Sequence, residues 1–205
     1  MTAAFAALYI ILVQVHYDLT YNRAIPDSER VYLMTLPSLG GSGLKQQSFL
    51  ARPVAEMGLA DNPYVETYGV AALDDVNKVN VIVGEGTAAK THSVTFVQMT
   101  SGALKTFGIQ PVMGSFEGIG EGGYVAISET AAERLGVAVD SVLQLESWGR
   151  TNYFVVRAIY KDLPIASDLK NIEVIRCNQL EEQDLTSTSN WSYNYYVKLR
   201  STDNK

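Results

Sequence analysis

Tyr124-Val125-Ala126-Ile127-Ser128-Glu129-Thr130-Ala131-Ala132-Glu133-Arg134-Leu135-Gly136 reads as a strand running straight into a helix. Residues 124–127 are apolar and extended. Ser128 follows as an N-cap, whose hydroxyl can accept one of the unpaired amides of the first turn, and Glu129 suits the positive end of the helix dipole. Residues 130–135 are helical, with Ala131, Ala132 and Leu135 on the buried side and Glu133 on the opposite one. Gly136 then closes the helix, because the left-handed residue after a last turn costs glycine nothing.

The same reading extends in both directions. Downstream, residues 142–147, 153–160 and 172–177 are strands, with Asp162-Leu163-Pro164 ending the longest. Residues 191–199 form a last strand, Tyr193, Tyr195, Val197 and Leu199 alternating with Asn194, Tyr196 and Lys198. Upstream, residues 113–123 are a loop, and 101–107 a helix capped by Ser101 and ended by Gly108. Residues 64–73, 76–83 and 91–99 are three strands of a small antiparallel unit. Residues 49–59 have helical character, with Pro53 tolerable only in the first turn and Asp61-Asn62-Pro63 as the stop. Leu39-Gly40-Gly41-Ser42-Gly43 is a flexible loop after a short strand at 31–36. Strands and helices mix without strict alternation, so the expected class is α+β rather than a doubly wound parallel sheet.

Of 205 residues, 47% are hydrophobic and 19% charged, enough for a real core. The formal charge of −6 and the scattered Lys and Arg offer no field for a phosphate backbone, which argues against nucleic acid as a partner. Cys177, the one cysteine, alternates with apolar neighbours and reads as a buried, inert thiol.

Residues 3–13 carry no charge, glycine or proline, and Gln14, His16 and Asp18 follow. Eleven residues span about half of a ~30 Å hydrocarbon core, so the run cannot cross a membrane alone. It has neither the basic start nor the small-x-small site of a signal peptide. Two readings stand: a core or docking helix, or the outer half of a membrane helix that begins earlier. The all-round apolar surface and the aromatic exit at Tyr9, Tyr17 and Tyr21 fit the second.

Gly118-Ile119-Gly120-Glu121-Gly122-Gly123 matches G-x-G-x-x-G, but a strand, not a helix, follows the third glycine, and Glu121 would repel phosphates. Ser42-Gly43-Leu44-Lys45 matches S-x-x-K in a glycine-rich loop without its partner motifs. Ser128 lies outside any nucleophile elbow, and His16 and His92 have no spaced partner. Asp74-Asp75 and Glu181-Glu182-Asp184 lack cation-loop spacing and read as solvated turns. Trp191, Tyr193, Tyr195 and Tyr196 could face a ligand, but strand alternation makes packing the default. The sequence therefore assigns no catalytic, cofactor-binding or metal residue, and the chain is not read as an enzyme.

Taken in order, the pieces resemble the extracytoplasmic segment of MacB-like permeases of ABC transporters, the MacB/FtsX class. Tyr17-Asp18-Leu19-Thr20-Tyr21-Asn22 followed by Asp27-Ser28-Glu29-Arg30-Val31-Tyr32-Leu33 resembles that segment's start. Asp61-Asn62-Pro63-Tyr64-Val65-Glu66 is similar to its turn into a strand, and Thr100 to Ile109 with Gly114 to its helix and following glycine. The 125–136 unit and Tyr153-Phe154-Val155-Val156-Arg157-Ala158-Ile159-Tyr160-Lys161-Asp162-Leu163-Pro164 are similar to two further family stretches. Arg157 stands where a glycine is usual, and Thr35 where a second arginine often sits.

The resemblance implies that residues 1–23 are the outer end of a truncated transmembrane helix plus stalk and 24–205 a periplasmic core domain. That domain would have a porter-like part built from both ends and an inserted mostly-β part at roughly 65–100 with neighbouring strands. It implies an inner-membrane permease facing the periplasm, paired with its own twin and a separate or adjacent ATPase subunit, with an adaptor or substrate protein as further partner. The implied job is transmission of conformational change during efflux. The alternatives are an FtsX-type regulator that activates a cell-wall hydrolase and, more distantly, a hydrolase or sensor anchored by one helix.

Overall fold

A computed structural model describes residues 2–37, 46–84, 89–147, 150–177 and 188–201. Helix α1 (Thr2–Thr20) runs past the apolar stretch, helped by Gln14 Nε2 donating to Asp18 Oδ1 at 2.9 Å one turn on. Its described side chains stand mostly in solvent, among them Tyr9 at 69% exposed and Val15 at 47%, with Tyr17 and Thr20 half-buried. No helix among the described residues is long and apolar enough to cross a membrane.

Short strands follow: β1 (Val31–Leu33), β2 (Leu36–Pro37), β3 (Gln46–Gln47) and β4 (Phe49–Ala51). The single strand expected at 31–36 is thus split at Met34 and Thr35, and the expected loop at 39–43 lies outside the described residues. Phe49–Ala51, expected as the first turn of a helix, is extended and pairs with the last strand of the chain. Helix α2 (Arg52–Leu59) begins only beside Pro53, which has no N–H to give a preceding turn.

Strand β5 (Val65–Val70) is followed by β6 (Asn77–Val83) and β7 (Lys90–Gln98). Then come α3 (Ser101–Thr106), β8 (Pro111–Gly114), β9 (Tyr124–Ser128), α4 (Glu129–Leu135) and β10 (Val142–Ser147). The described elements end with β11 (Arg150–Tyr160), β12 (Val174–Arg176) and β13 (Trp191–Leu199). The α+β class holds.

Three of these elements depart from the sequence reading. The cap of α3 is Thr100, not Ser101: the Thr100 hydroxyl accepts from both Ala103 N–H and Val70 N–H, at 3.3 and 3.0 Å, so a tertiary contact selects between two adequate caps. Met113 and Gly114, placed in a loop, belong to β8. Of the expected three-strand unit only β6 and β7 pair, while β5 joins β13.

Two sheets hold the chain together. In the first, β1, β4 and β5 all pair antiparallel with β13, so the two ends of the chain meet in one sheet. Tyr193, Tyr195 and Val197 pack with Leu50, Ala55 and Leu59 on its α2 side. The second sheet runs β10-β6-β7-β12-β9-β11-β8, and β10 also pairs with β11, so the hydrogen bonding closes into a six-stranded ring with β8 outside it. Closure removes edges that would otherwise template association. The segment 65–100 is therefore divided between the two sheets.

The ring's inner face holds Val79, Val81, Val94, Leu143, Leu145 and Phe154, together with Ala131, Ala132 and Leu135 of α4. Its outer face and α3 share a core between the sheets, with Val97, Ala126, Ala158, Tyr160 and Ile175 against Ala103, Leu104 and Phe107. Strand β11 sends side chains to both cores, and a shift in its pairing with β9 between Val156 and Ala158 swaps which of its alternating positions face which. Phe154 and Val156 face inward before this bulge, Ile159 after it, and Ala158 and Tyr160 turn outward. Arg157, the departure noted above, sits in the bulge and projects over the Tyr124 ring at 5.3 Å.

Candidate functional site

The residues after α1 tie it to the rest of the chain. Thr20 Oγ1 turns back on the His16 and Tyr17 carbonyls at 2.8 and 3.2 Å, drawing the helix to its end. Asn22 then takes a left-handed conformation, φ 61°, which Asn tolerates better than most residues. Its backbone N–H donates to Ala166 O at 2.8 Å. Its side chain forms a reciprocal pair with Asp168: the amide donates to Oδ2 at 2.8 Å, and the amide oxygen accepts the Asp168 N–H at 3.0 Å. Tyr21 O–H donates to Asp168 Oδ1 at 3.0 Å. Desolvation first, and then this bond to an anion, raises the Tyr21 phenol above its ordinary value.

A second anchor lies a few residues on. Ile25 is buried in the core between the sheets, and Asp27 is again left-handed. The Asp27 carboxylate meets Lys198 Nζ at 2.6 Å and Arg30 at 2.7 Å, while Arg30 also reaches Glu66 at 2.6 Å and Leu199 O at 2.8 Å. The Lys198 bond chiefly, with Arg30 behind it, holds the Asp27 carboxyl below the usual carboxylate range. Lys198 reads outward in a two-sided alternation, yet it is almost fully buried because β13 is covered on both faces. Within ten residues of its end, α1 is therefore fastened to the loop after β11, to β5 and to β13. These bonds tie the end of α1 to the body of the chain through side chains and backbone alike.

The sequence candidates lie elsewhere and apart. In the 118–123 loop the Glu121 carboxylate folds against Gly118, where an added Cβ would come within 3.2 Å of it, and β9 follows the last glycine. Ser128 caps α4, accepting Ala131 N–H at 3.4 Å. Asp74 accepts from the Asn194 amide, and Asp75 from Asn77 Nδ2 at 2.6 Å. Those carboxylates order a turn. No cluster of three His, Cys, Asp or Glu able to hold a metal occurs among the described residues. His16 is exposed on α1, and His92 pairs across to Val81 on β6. Tyr193 and Tyr195 are core residues, Tyr195 donating to Glu56 at 2.9 Å, whereas Tyr196 faces the other way, 4.9 Å from the Phe107 ring. Cys177 is buried. Ser42, Lys45, Glu181, Glu182 and Asp184 lie outside the described residues. Sequence reading named the stalk but missed Asp168 as its partner, 146 residues away. The one local cue was an Asn placed just after a helix end.

No protein-family model matches the sequence, and no curated protein matches it. Solved structures do. A domain described as that of a permease protein from Porphyromonas gingivalis superposes with a TM-score of 0.63 at 19% identity, over 87% of this chain and 76% of that one. The chain has the fold of MacB-like permease domains. The extracellular domain of the noncanonic ABC-type transporter YknZ from Gram-positive bacteria gives 0.52 at 16% identity, covering 83% of each chain. The periplasmic region of MacB from Actinobacillus actinomycetemcomitans gives 0.54 at 10%, over 85% of this chain and 76% of that one. In this fold the joint at Asn22 lies where α1 enters the domain.

Proposed function

We propose that this chain is the extracytoplasmic domain of an ABC transporter permease. In this reading, it passes the movement of a membrane helix to a substrate or partner protein during export. Residues 1–23 are the outer end of that helix with its stalk, and 24–205 are the core domain. The porter-like part is the sheet built from both chain ends with α2, and the closed ring is the mostly-β part. The domain works on the periplasmic side of the cell membrane, against its own twin and in reach of an adaptor or substrate protein. ATP is hydrolysed by a separate ATPase subunit, so the domain itself is not an enzyme.

The observation that supports this most is the joint. The residues after α1 bond to the sheet of the chain ends and to the loop after β11 rather than trailing as a linker, so a tilt of α1 has to be carried into the domain. Removing the reciprocal pair with Asn22→Ala and Asp168→Ala in the complete transporter tests it. Export is expected to fall while membrane abundance and ATP turnover are retained. Unchanged export at equal abundance overturns the reading.

A further inference from the structure

Beneath the root of α1 lies a cavity of about 240 Å3. Its walls are apolar and aromatic: Ile25, Val31, Leu33, Phe107 and Tyr196, with the Phe107 and Tyr196 rings 4.9 Å apart and tilted. Its polar groups are the Asn22 and Ser28 side chains and the Asp168 carboxylate. A mostly apolar recess with a few convergent polar groups is the usual form of a small-molecule site, and this one falls below the ~300–1,000 Å3 that drug-sized ligands occupy.

The charge balance of the cavity selects among ligands. Both oxygens of Asp168 accept from neutral donors, Tyr21 O–H and the Asn22 amide. Among the described residues no cation lies within ion-pair distance of it. Arg23 and Lys170, its closest cations along the chain on the segments that meet there, are both exposed. The one charged side chain among the residues lining the cavity is the Asp168 carboxylate, and the Tyr196 phenol is pushed up to about 12, chiefly by burial and secondarily by Asp168 and Asp74. An anion would be repelled, and a bare metal ion would find one carboxylate and no second charged ligand. A positively charged group can meet the carboxylate in a charge-assisted bond and lie over aromatic faces at the same time.

We propose that this cavity binds a small organic ammonium ion, with its charge on Asp168 and its apolar body against Phe107, Tyr196, Ile25 and Leu33. Such an ion gives the exposed Asp168 carboxylate a charged partner beside its two neutral donors. It also fills the space under the stalk turn and braces α1 against the core. The bracing consequence rests on the mechanical reading above; binding itself does not.

Benzylamine and its neutral isostere benzyl alcohol, titrated into the detergent-solubilised chain and followed by NMR or calorimetry, test this. The amine is expected to bind saturably with a dissociation constant on the order of 1 mM, as befits a ligand of few atoms. The alcohol, the Asp168→Asn variant and the plugging variant Leu33→Trp should each weaken binding by about tenfold or more, the step worth about 1.4 kcal/mol. Leu33 is 42% exposed, so its replacement tests the site even where Asp168→Asn loosens the joint. Equal affinity for amine and alcohol, amine binding untouched by Leu33→Trp, or no saturable binding overturns the proposal. If export proves insensitive to Asn22→Ala but these titrations succeed, the mechanical reading fails and the ammonium site stands.

Discussion

Replacing Leu135 with alanine removes the residue that seals α4 onto the inner face of the ring. Leu135 is 6% exposed and shares its core with Ala131, Ala132 and the ring valines. The two alanines beside it are too small to fill a void. Losing three buried carbons at about 0.8 kcal/mol each gives roughly 2.4 kcal/mol, and the cavity left between a helix and a closed sheet brings the total to about 2–5 kcal/mol. Two neighbours calibrate the scale. Ser128→Ala removes a cap whose bond is long, 3.4 Å, so about 0.5–1 kcal/mol is expected. Glu133 is exposed on the far side of α4, and its replacement by alanine should stay within about 0.5 kcal/mol. Urea melts of the three variants, with slopes equal to the parent, would give the ranking Leu135, Ser128, Glu133. Should Glu133→Ala prove the most damaging, the helix would be turned the other way round and the packing argument wrong.

A Cβ added at Gly69 would stand 2.1 Å from the Ala103 backbone nitrogen, so α3 would have to leave β5; Gly69→Ala should cost about 3 kcal/mol in a urea melt, and a neutral result would refute the close approach. Deleting residues 1–13 removes side chains that are exposed wherever described, so the thermal midpoint should shift by less than about 2 °C while solubility rises; a larger drop would place α1 in the core. The phenols of Tyr160, Tyr195 and Tyr196 are raised chiefly by burial, that of Tyr196 to about 12. A raised phenol stabilises the fold fully below pH 10, and that stability is lost as the pH climbs toward the folded value. Ultraviolet titration should show these three ionising last, in step with alkaline unfolding, and early ionisation of all twelve tyrosines would contradict their burial.

What was legible in the sequence was local. Ser128 and Gly136 mark the ends of α4 by their own conformational preferences, and residues 142–147 and 191–199 showed as strands from their patterning alone. What was not legible depends on partners far along the chain. Phe49–Ala51 looks helical until β13 offers it a ladder some 140 residues on. Thr100 beats Ser101 as cap only because Val70 is there to share its hydroxyl. The joint needs Asn22 and Asp168 together, and nothing about either residue announces the other.

The bulge at Arg157 has a consequence for how the molecule comes apart. Because β11 feeds side chains to the ring interior and, after the shift, to the core between the sheets, neither core can be lost while the other keeps its full complement. The ring and the sheet of the chain ends are thereby joined in one cooperative unit. Amides of β11 should exchange only with global opening, and denaturation should pass through a single transition rather than one for each part.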